Sequence, residues 1–71
     1  MHNLTEKQRS VLTFVKSFIA NKGYPPTRNE IARHFEYRSD NAVQDHLRGL
    51  AKKGAIEVAR GVSRGIKVIA A

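Results

Sequence analysis

The fold of this chain is decided by the stretch TRNEIARHFEYRSDNAVQDHLRGLAKKG, which runs from Thr27 to Gly54. Thr27 and Glu30 have the spacing of a capping box, in which a hydroxyl and a carboxylate satisfy backbone N–H groups at the start of a helix. Apolar residues then recur at helical spacing in two segments, one ending near Phe35 and the other beginning just after Ser39, a residue type that favours the N-cap. Two helices joined by about four residues are typical of a helix-turn-helix.

A longer helix is predicted before this stretch. Thr5 and Gln8 form another capping box, and an apolar stripe follows at helical spacing. Gly23 suits the left-handed conformation after the last turn, and Pro25-Pro26 prevents the helix from continuing.

A hairpin is predicted after the stretch, because residues 55–59 and 65–69 alternate in polarity around a glycine-containing turn at 60–64. A lone hairpin is unstable in water, so its inward residues should pack on the helices. These residues are Ile56, Val58, Ile66 and Val68. The expected fold is mainly α with a small β-hairpin, a winged helix-turn-helix of three helices and a two-stranded antiparallel wing, formed as one domain by residues 1–71.

The charge of the chain favours an anionic partner. It has 13 Lys and Arg against 6 Asp and Glu, a net charge of +7 and a pI of about 10.4. Double-stranded DNA is the leading partner for such a domain. An anionic membrane surface is a weaker alternative, because no predicted helix is apolar on one face and densely basic on the other.

The sequence gives little support for catalysis or for a bound cofactor. There is no cysteine, which excludes disulfides and thiolate metal sites and favours a reducing, cytoplasmic location. His2, His34 and His46 are scattered, no serine lies in a nucleophile motif, and no glycine-rich phosphate loop is present. No signal peptide or membrane span is recognisable. We therefore expect no enzyme activity, cofactor, metal or small-molecule ligand.

The outward face of the third helix carries the residues that suit base recognition. Gln44 and Asp45 lie about one turn after Asn41, and Arg48 and Lys52 continue the same stripe. Asparagine and glutamine can pair with adenine, a carboxylate can accept from cytosine N4, and alanine, as at position 42, can contact the thymine methyl group. The alternative is an ordinary solvated face on which Asp45 pairs with Arg48 at i+3.

Phosphate contacts are expected from the cations around this helix and from the turn of the wing. A surface cation is often only solvated, so each contact is weak when taken singly. The candidates are Arg28, Arg38, Arg48, Lys52, Lys53, Ser63 and Arg64.

Several strings resemble the DNA-binding domain of the LexA family of SOS-response repressors. The resemblance begins at Leu4-Thr5-x-x-Gln8 and covers nearly the whole chain. The first two of the following strings make it specific: Pro25-Pro26-Thr27-Arg28, Ser63-Arg64-Gly65-Ile66, Arg38-Ser39-x-Asn41-Ala42 and His46-Leu47-x-x-Leu50-Ala51-x-Lys53-Gly54.

This resemblance implies a transcriptional repressor that binds a palindromic operator as a dimer. Dimerisation of this chain should be weak and promoted on DNA by adjacent half-sites. It also implies that the base-reading positions are Ser39, Asn41, Ala42, Gln44 and Asp45. An alternative of another class is a standalone interaction module, from a phage or mobile element, that pairs with a full-length repressor and modulates it.

The chain departs from the family pattern in three ways. Glu36 replaces the usual glycine of the turn, where a left-handed backbone costs glutamate about 1 kcal/mol or more, so a different turn geometry stays open. Positions 44 and 45 are typically acidic in the family. Gln44 removes one of the two negative charges and Asp45 shortens the other side chain, which leaves open whether the operator matches the CTG-containing half-site. These 71 residues do not include the family's C-terminal domain, which carries a self-cleaving Ser-Lys dyad and most of the dimer interface. We therefore expect the chain to be either a fragment or a standalone protein, without autoprotease activity of its own.

Overall fold

The computed structural model describes residues 3–69 and contains three helices followed by a two-stranded antiparallel hairpin. The expected winged helix-turn-helix is confirmed. Helix α1 spans Glu6–Lys22, α2 spans Arg28–Phe35 and α3 spans Asp40–Lys52. Strands β1 (Ile56–Val58) and β2 (Ile66–Val68) pair with Glu57 opposite Lys67. No helix in this part of the chain has the length and apolar character needed to cross a membrane.

Both predicted capping boxes are formed. At α1, the backbone N–H of Thr5 donates to Gln8 Oε1 (3.0 Å) and the N–H of Gln8 donates to Thr5 Oγ1 (3.1 Å). At α2, the N–H of Thr27 donates to Glu30 Oε1 (2.8 Å) and the N–H of Glu30 donates to Thr27 Oγ1 (3.1 Å). These reciprocal bonds fix both helix starts, which is why local sequence predicted them correctly.

The start of α3 differs from this pattern. The helix begins directly after Ser39, as predicted, and Ser39 has the extended backbone of an N-cap residue. Its side chain, however, makes no capping hydrogen bond, so the expected capping role of the hydroxyl is wrong. The Ser39 side chain is exposed and available to another partner.

The turn between α2 and α3 keeps a left-handed residue although that residue is a glutamate. Glu36 has φ 58° and ψ 36°, and its N–H donates to the carbonyl of Arg33 (3.3 Å). The N–H of Tyr37 reaches back to the carbonyl of Ala32 (2.9 Å), the long-range bond of a Schellman-type helix end. The open question of a different turn geometry is thus settled in favour of the left-handed turn, at a cost in backbone strain.

The core lies between the three helices and is closed by the hairpin, which packs against α3. Its largest buried side chains include Val11 and Val15 from α1, Ile31 from α2, and Leu50 from α3. Ile56 and Ile66 close it from the hairpin side, and Val68 packs against it while half-buried. The core thereby fixes the rotation of α3, because Val43, Leu47 and Leu50 are buried on one side of the helix.

Val58 does not pack on the helices as predicted. It is 39% exposed, although it alternates with the buried Ile56. The strands are three residues long, and Val58 is the last residue of β1 before the turn. At that point the hairpin faces α3 across an open cleft, so the side chain contacts solvent instead of the helices.

Candidate nucleic-acid interface

The predicted reading residues lie at the N-terminal end of α3, on the side away from the core. Ser39, Asn41 and Asp45 are exposed, and Ala42 and Gln44 are half-buried. Within residues 3–69, Asp45 makes no ion pair with Arg48. The carboxylate therefore remains accessible, and the alternative in which Arg48 neutralises it receives no support.

An open cleft of about 800 Å³ separates α3 from the turn of the wing. Arg28 lines it from the start of α2, Gln44 and Arg48 line it from α3, and Ser63 lines it from the turn. The fold thus brings together four predicted site residues that are distant in sequence. None of the cleft's described lining residues is acidic, so the charge on its walls is entirely positive.

Arg60 also lines this cleft and was missed by the sequence reasoning. Its place in the turn of the wing, three residues before Ser63, was the signal that could have found it. Three guanidinium groups, on Arg28, Arg48 and Arg60, therefore surround one cleft beside α3. Guanidinium groups are well suited to binding phosphate because they donate hydrogen bonds in a planar fork.

The other predicted phosphate ligands lie outside this cleft. Arg38 and Lys52 are exposed near opposite ends of α3. Lys53 Nζ donates to the carbonyl of Asn3 (2.6 Å) and to Gln8 Oε1 (2.9 Å), which ties the end of α3 to the start of α1. To contact phosphate as predicted, Lys53 would have to leave these partners or bind the phosphate in addition to them.

Arg64 is held by the helices. Its Nη1 donates to Glu30 Oε1 (2.7 Å) and to the carbonyl of Pro25 (2.9 Å), and its Nη2 donates to Glu30 Oε2 (3.1 Å). The guanidinium carbon also lies 4.6 Å from the centre of the Tyr24 ring. The Arg64 guanidinium, helped by the N–H of Thr27, lowers the pKa of Glu30 from 4.5 to about 2.

The described histidines lie among aromatic rings. His34 stacks on Phe14 with ring centres 4.1 Å apart, and His46 lies 5.8 Å from the ring of Tyr37. His2 lies outside the described residues. Residues 3–69 contain no group of three or more His, Cys, Asp or Glu side chains arranged to hold a metal ion.

Comparison with known proteins gives the decisive observation. A family model described as the LexA DNA binding domain matches residues 1–65. The chain belongs to the LexA DNA-binding domain family. It is 52% identical over 68 residues to the LexA repressor of Halorhodospira halophila and 53% identical over 68 residues to that of Saccharophagus degradans.

These LexA relatives are much longer than the chain. The two alignments cover 96% of this chain but 30% and 34% of the respective repressors. The LexA repressor of Cellvibrio japonicus gives the same result, with 50% identity over 96% of this chain and 34% of its own length. The family assignment therefore concerns the DNA-binding portion, and the chain spans about a third of the length of these relatives.

Proposed function

We propose that this chain binds double-stranded DNA in a sequence-specific manner, as the DNA-binding domain of a LexA-type transcriptional repressor, with α3 in the major groove. The observation that carries the proposal is the juxtaposition of the exposed polar end of α3 with the cleft lined by Arg28, Arg48 and Arg60. A groove-binding helix needs accessible polar groups for base edges and cations at its flanks for phosphates.

The proposed interface has two functional parts along α3. The reading part comprises Ser39, Asn41, Ala42, Gln44 and Asp45, and the anchoring part begins at Arg48. Asp45 is the most specific element of the reading part. Phosphates repel its carboxylate, so it favours binding only where it accepts a hydrogen bond from a base, such as cytosine through N4. With 13 residues, α3 is about 20 Å long, enough for its N-terminal turns to enter the groove while its C-terminal end stays near the backbone.

Phosphate contacts are proposed for the cations on both sides of that helix. Arg28, Arg48 and Arg60, together with the Ser63 hydroxyl, would approach one DNA strand from the cleft. The start of α2 adds the positive end of a helix dipole, which attracts phosphate. Arg38 and Lys52 would add contacts at the two ends of α3. A phosphate contact by Lys53 or Arg64 stays a prediction. It would require the side chain to leave its protein partner, which is Gln8 for Lys53 and Glu30 for Arg64.

The LexA resemblance supports the further proposal of a palindromic operator bound by two copies. Two recognition helices on one face of the duplex require half-sites about one helical turn apart, or a multiple of this spacing. As part of a LexA-type repressor, the chain would act in the bacterial cytoplasm on genes of the SOS response.

The test begins with selection of bound duplexes from a random library, followed by anisotropy titrations of the preferred duplex and a scrambled one. Asn41→Ala should weaken binding to the preferred duplex by about 1–3 kcal/mol and leave the scrambled duplex unaffected. Asn21→Ala makes the same chemical change at the exposed end of α1 and serves as the matched control.

A phosphate contact has a different signature. Arg60→Ala should weaken binding to both duplexes and reduce the slope of log affinity against log salt by about 1. Equal losses on both duplexes for Asn41→Ala would overturn the reading role of α3. No specific binding at low salt, together with a complex with a full-length repressor, would favour the modulator alternative.

A further inference from the structure

The turn of the wing is joined to the helices mainly by one side chain. Val58, just before the turn, and Val62, within it, are 39% and 56% exposed, so apolar packing does not hold the turn. The hydrogen bond from Ala59 N–H to the Gly65 carbonyl lies within the hairpin itself. Within residues 3–69, the hydrogen bonds and ion pair that link residues 59–65 to the rest of the chain all come from Arg64.

We infer that Glu30 and Arg64 form a latch that positions the wing for DNA binding, with Arg64 acting through Glu30 and not as a phosphate ligand. This inference rests on the proposed function for its effect on DNA. The latch joins the wing to the first turn of α2, where Arg28 also lies. It therefore sets how far Arg60 and Ser63 stand from Arg28 and Arg48 across the cleft.

The geometry favours a positioning role over an ordinary surface ion pair. The guanidinium of Arg64 engages both carboxylate oxygens of Glu30, a bidentate arrangement that fixes orientation as well as distance. Glu30 is itself held, because its Oε1 accepts from the N–H of Thr27 in the capping box. The Pro25 carbonyl and the Tyr24 ring restrain the guanidinium further. Arg64 thus docks on a preformed site.

For removal of the Glu30 charge, the latch and simple electrostatics predict opposite changes in DNA affinity. Glu30 is an anion beside a surface that would face phosphates, so loss of its charge should strengthen DNA binding if charge alone mattered. If Glu30 positions the wing, loss of its charge should weaken specific binding, because the cations of the turn are no longer held at the cleft.

Glu30→Gln is the decisive variant, since glutamine also occupies this position in capping boxes and keeps the α2 cap. Its affinity for the preferred duplex should fall about fivefold, with an unchanged salt slope, because no phosphate contact is removed. Glu57→Gln removes the same charge from β1 and is the matched control, with equal or tighter binding expected. Thermal melts and circular dichroism verify that both variants fold.

Arg64 variants separate the latch from a direct phosphate contact. Arg64→Gln should reproduce the loss seen in Glu30→Gln, and the double variant should lose no more than either single one. Arg64→Lys should lose as much affinity as Arg64→Gln although it keeps the positive charge, because an ammonium group cannot make the bidentate pair. Tight binding by Glu30→Gln, or a salt slope reduced by about 1 in Arg64→Gln alone, would overturn the latch and make Arg64 a phosphate ligand.

A second measurement is independent of DNA. Backbone 15N relaxation of the free protein should show increased ps–ns motion at residues 60–63 in Glu30→Gln but not in Glu57→Gln. Unchanged motion would overturn the latch even if the chain binds DNA as proposed. If the wild type binds no duplex but the motion increases as expected, the latch stands and the proposed function fails.

Discussion

The side-chain amide of Gln8 lies directly against the backbone of Gly49, in space that a β-carbon at residue 49 would need. The same amide group accepts from the Thr5 N–H and from Lys53 Nζ. The missing side chain at position 49 therefore allows the start of α1 to seat on α3. One glutamine serves both the local helix cap and the contact between the two helices.

Gly49→Ala should stabilise the protein less than its helical position suggests. Alanine in a helix interior is favoured over glycine by about 1 kcal/mol, but here the Gln8 amide must shift, and we expect this shift to disrupt its capping bond. The gain in unfolding free energy from Gly49→Ala should be about 1 kcal/mol larger in a Gln8→Ala background than in the wild type. Urea denaturation of the four proteins measures this coupling, and strictly additive effects would contradict it.

Glu36→Gly should relieve strain in the helix-turn-helix turn. A left-handed backbone is costly for a residue with a β-carbon and carries no such penalty for glycine. Glu36→Gly should therefore be more stable than Glu36→Ala by about 1 kcal/mol. Both variants remove the same charge, so chemical denaturation of the pair isolates the backbone effect. Equal stabilities would show that the left-handed turn carries no strain.

Ile56 and Val58 lie on one face of β1 but should respond very differently to truncation. Ile56 is 2% exposed, and Ile56→Ala should lower the free energy of unfolding by about 2–5 kcal/mol, enough to unfold much of a small domain. Val58 is 39% exposed, and Val58→Ala should cost less than about 1 kcal/mol. Thermal melts compare the two, and Ile56→Val provides a mild core control. A large loss of stability in Val58→Ala would show that the Val58 side chain packs on the helices after all.

The contribution of Glu30 to stability should disappear in acid. Its pKa is about 2 in the folded protein against an ordinary 4.5, so the folded state favours the charged form. The stabilisation is complete above about pH 4.5 and is lost as the pH falls towards about 2. The difference in unfolding free energy between the wild type and Glu30→Gln should therefore shrink over this range. An NMR titration of the Glu30 carboxyl group with a midpoint near 4.5 would contradict the ion pair.

The secondary structure was largely predictable because its signals are local. The pairs Thr5–Gln8 and Thr27–Glu30 lie three residues apart and close their own capping boxes whatever the rest of the chain does. The helical spacing of Val43, Leu47 and Leu50 likewise required one side of α3 to face the core. Alternation predicted the hairpin, but it could not show that Val58 ends β1 over an open cleft.

The candidate site was predicted only in part. The polar end of α3 follows from helical geometry, and so the accessible positions of Asn41 and Asp45 could be anticipated. The place of Arg60 in the turn of the wing made it a candidate, but only the packing of the hairpin beside α3 shows that it lines the cleft. For Lys53 the sequence offered charge but no sign of its contact with Gln8.

The sequence by itself determined the helices, their caps, the hairpin and the polar face of α3, since each depends on residues within a few positions of one another. Only the tertiary structure decided which cations face the cleft and which are held by the protein. The bond between Arg64 and Glu30 spans 34 positions and that between Lys53 and Gln8 spans 45. Such contacts arise from the packing of whole elements around the core, and no local pattern of residues encodes them.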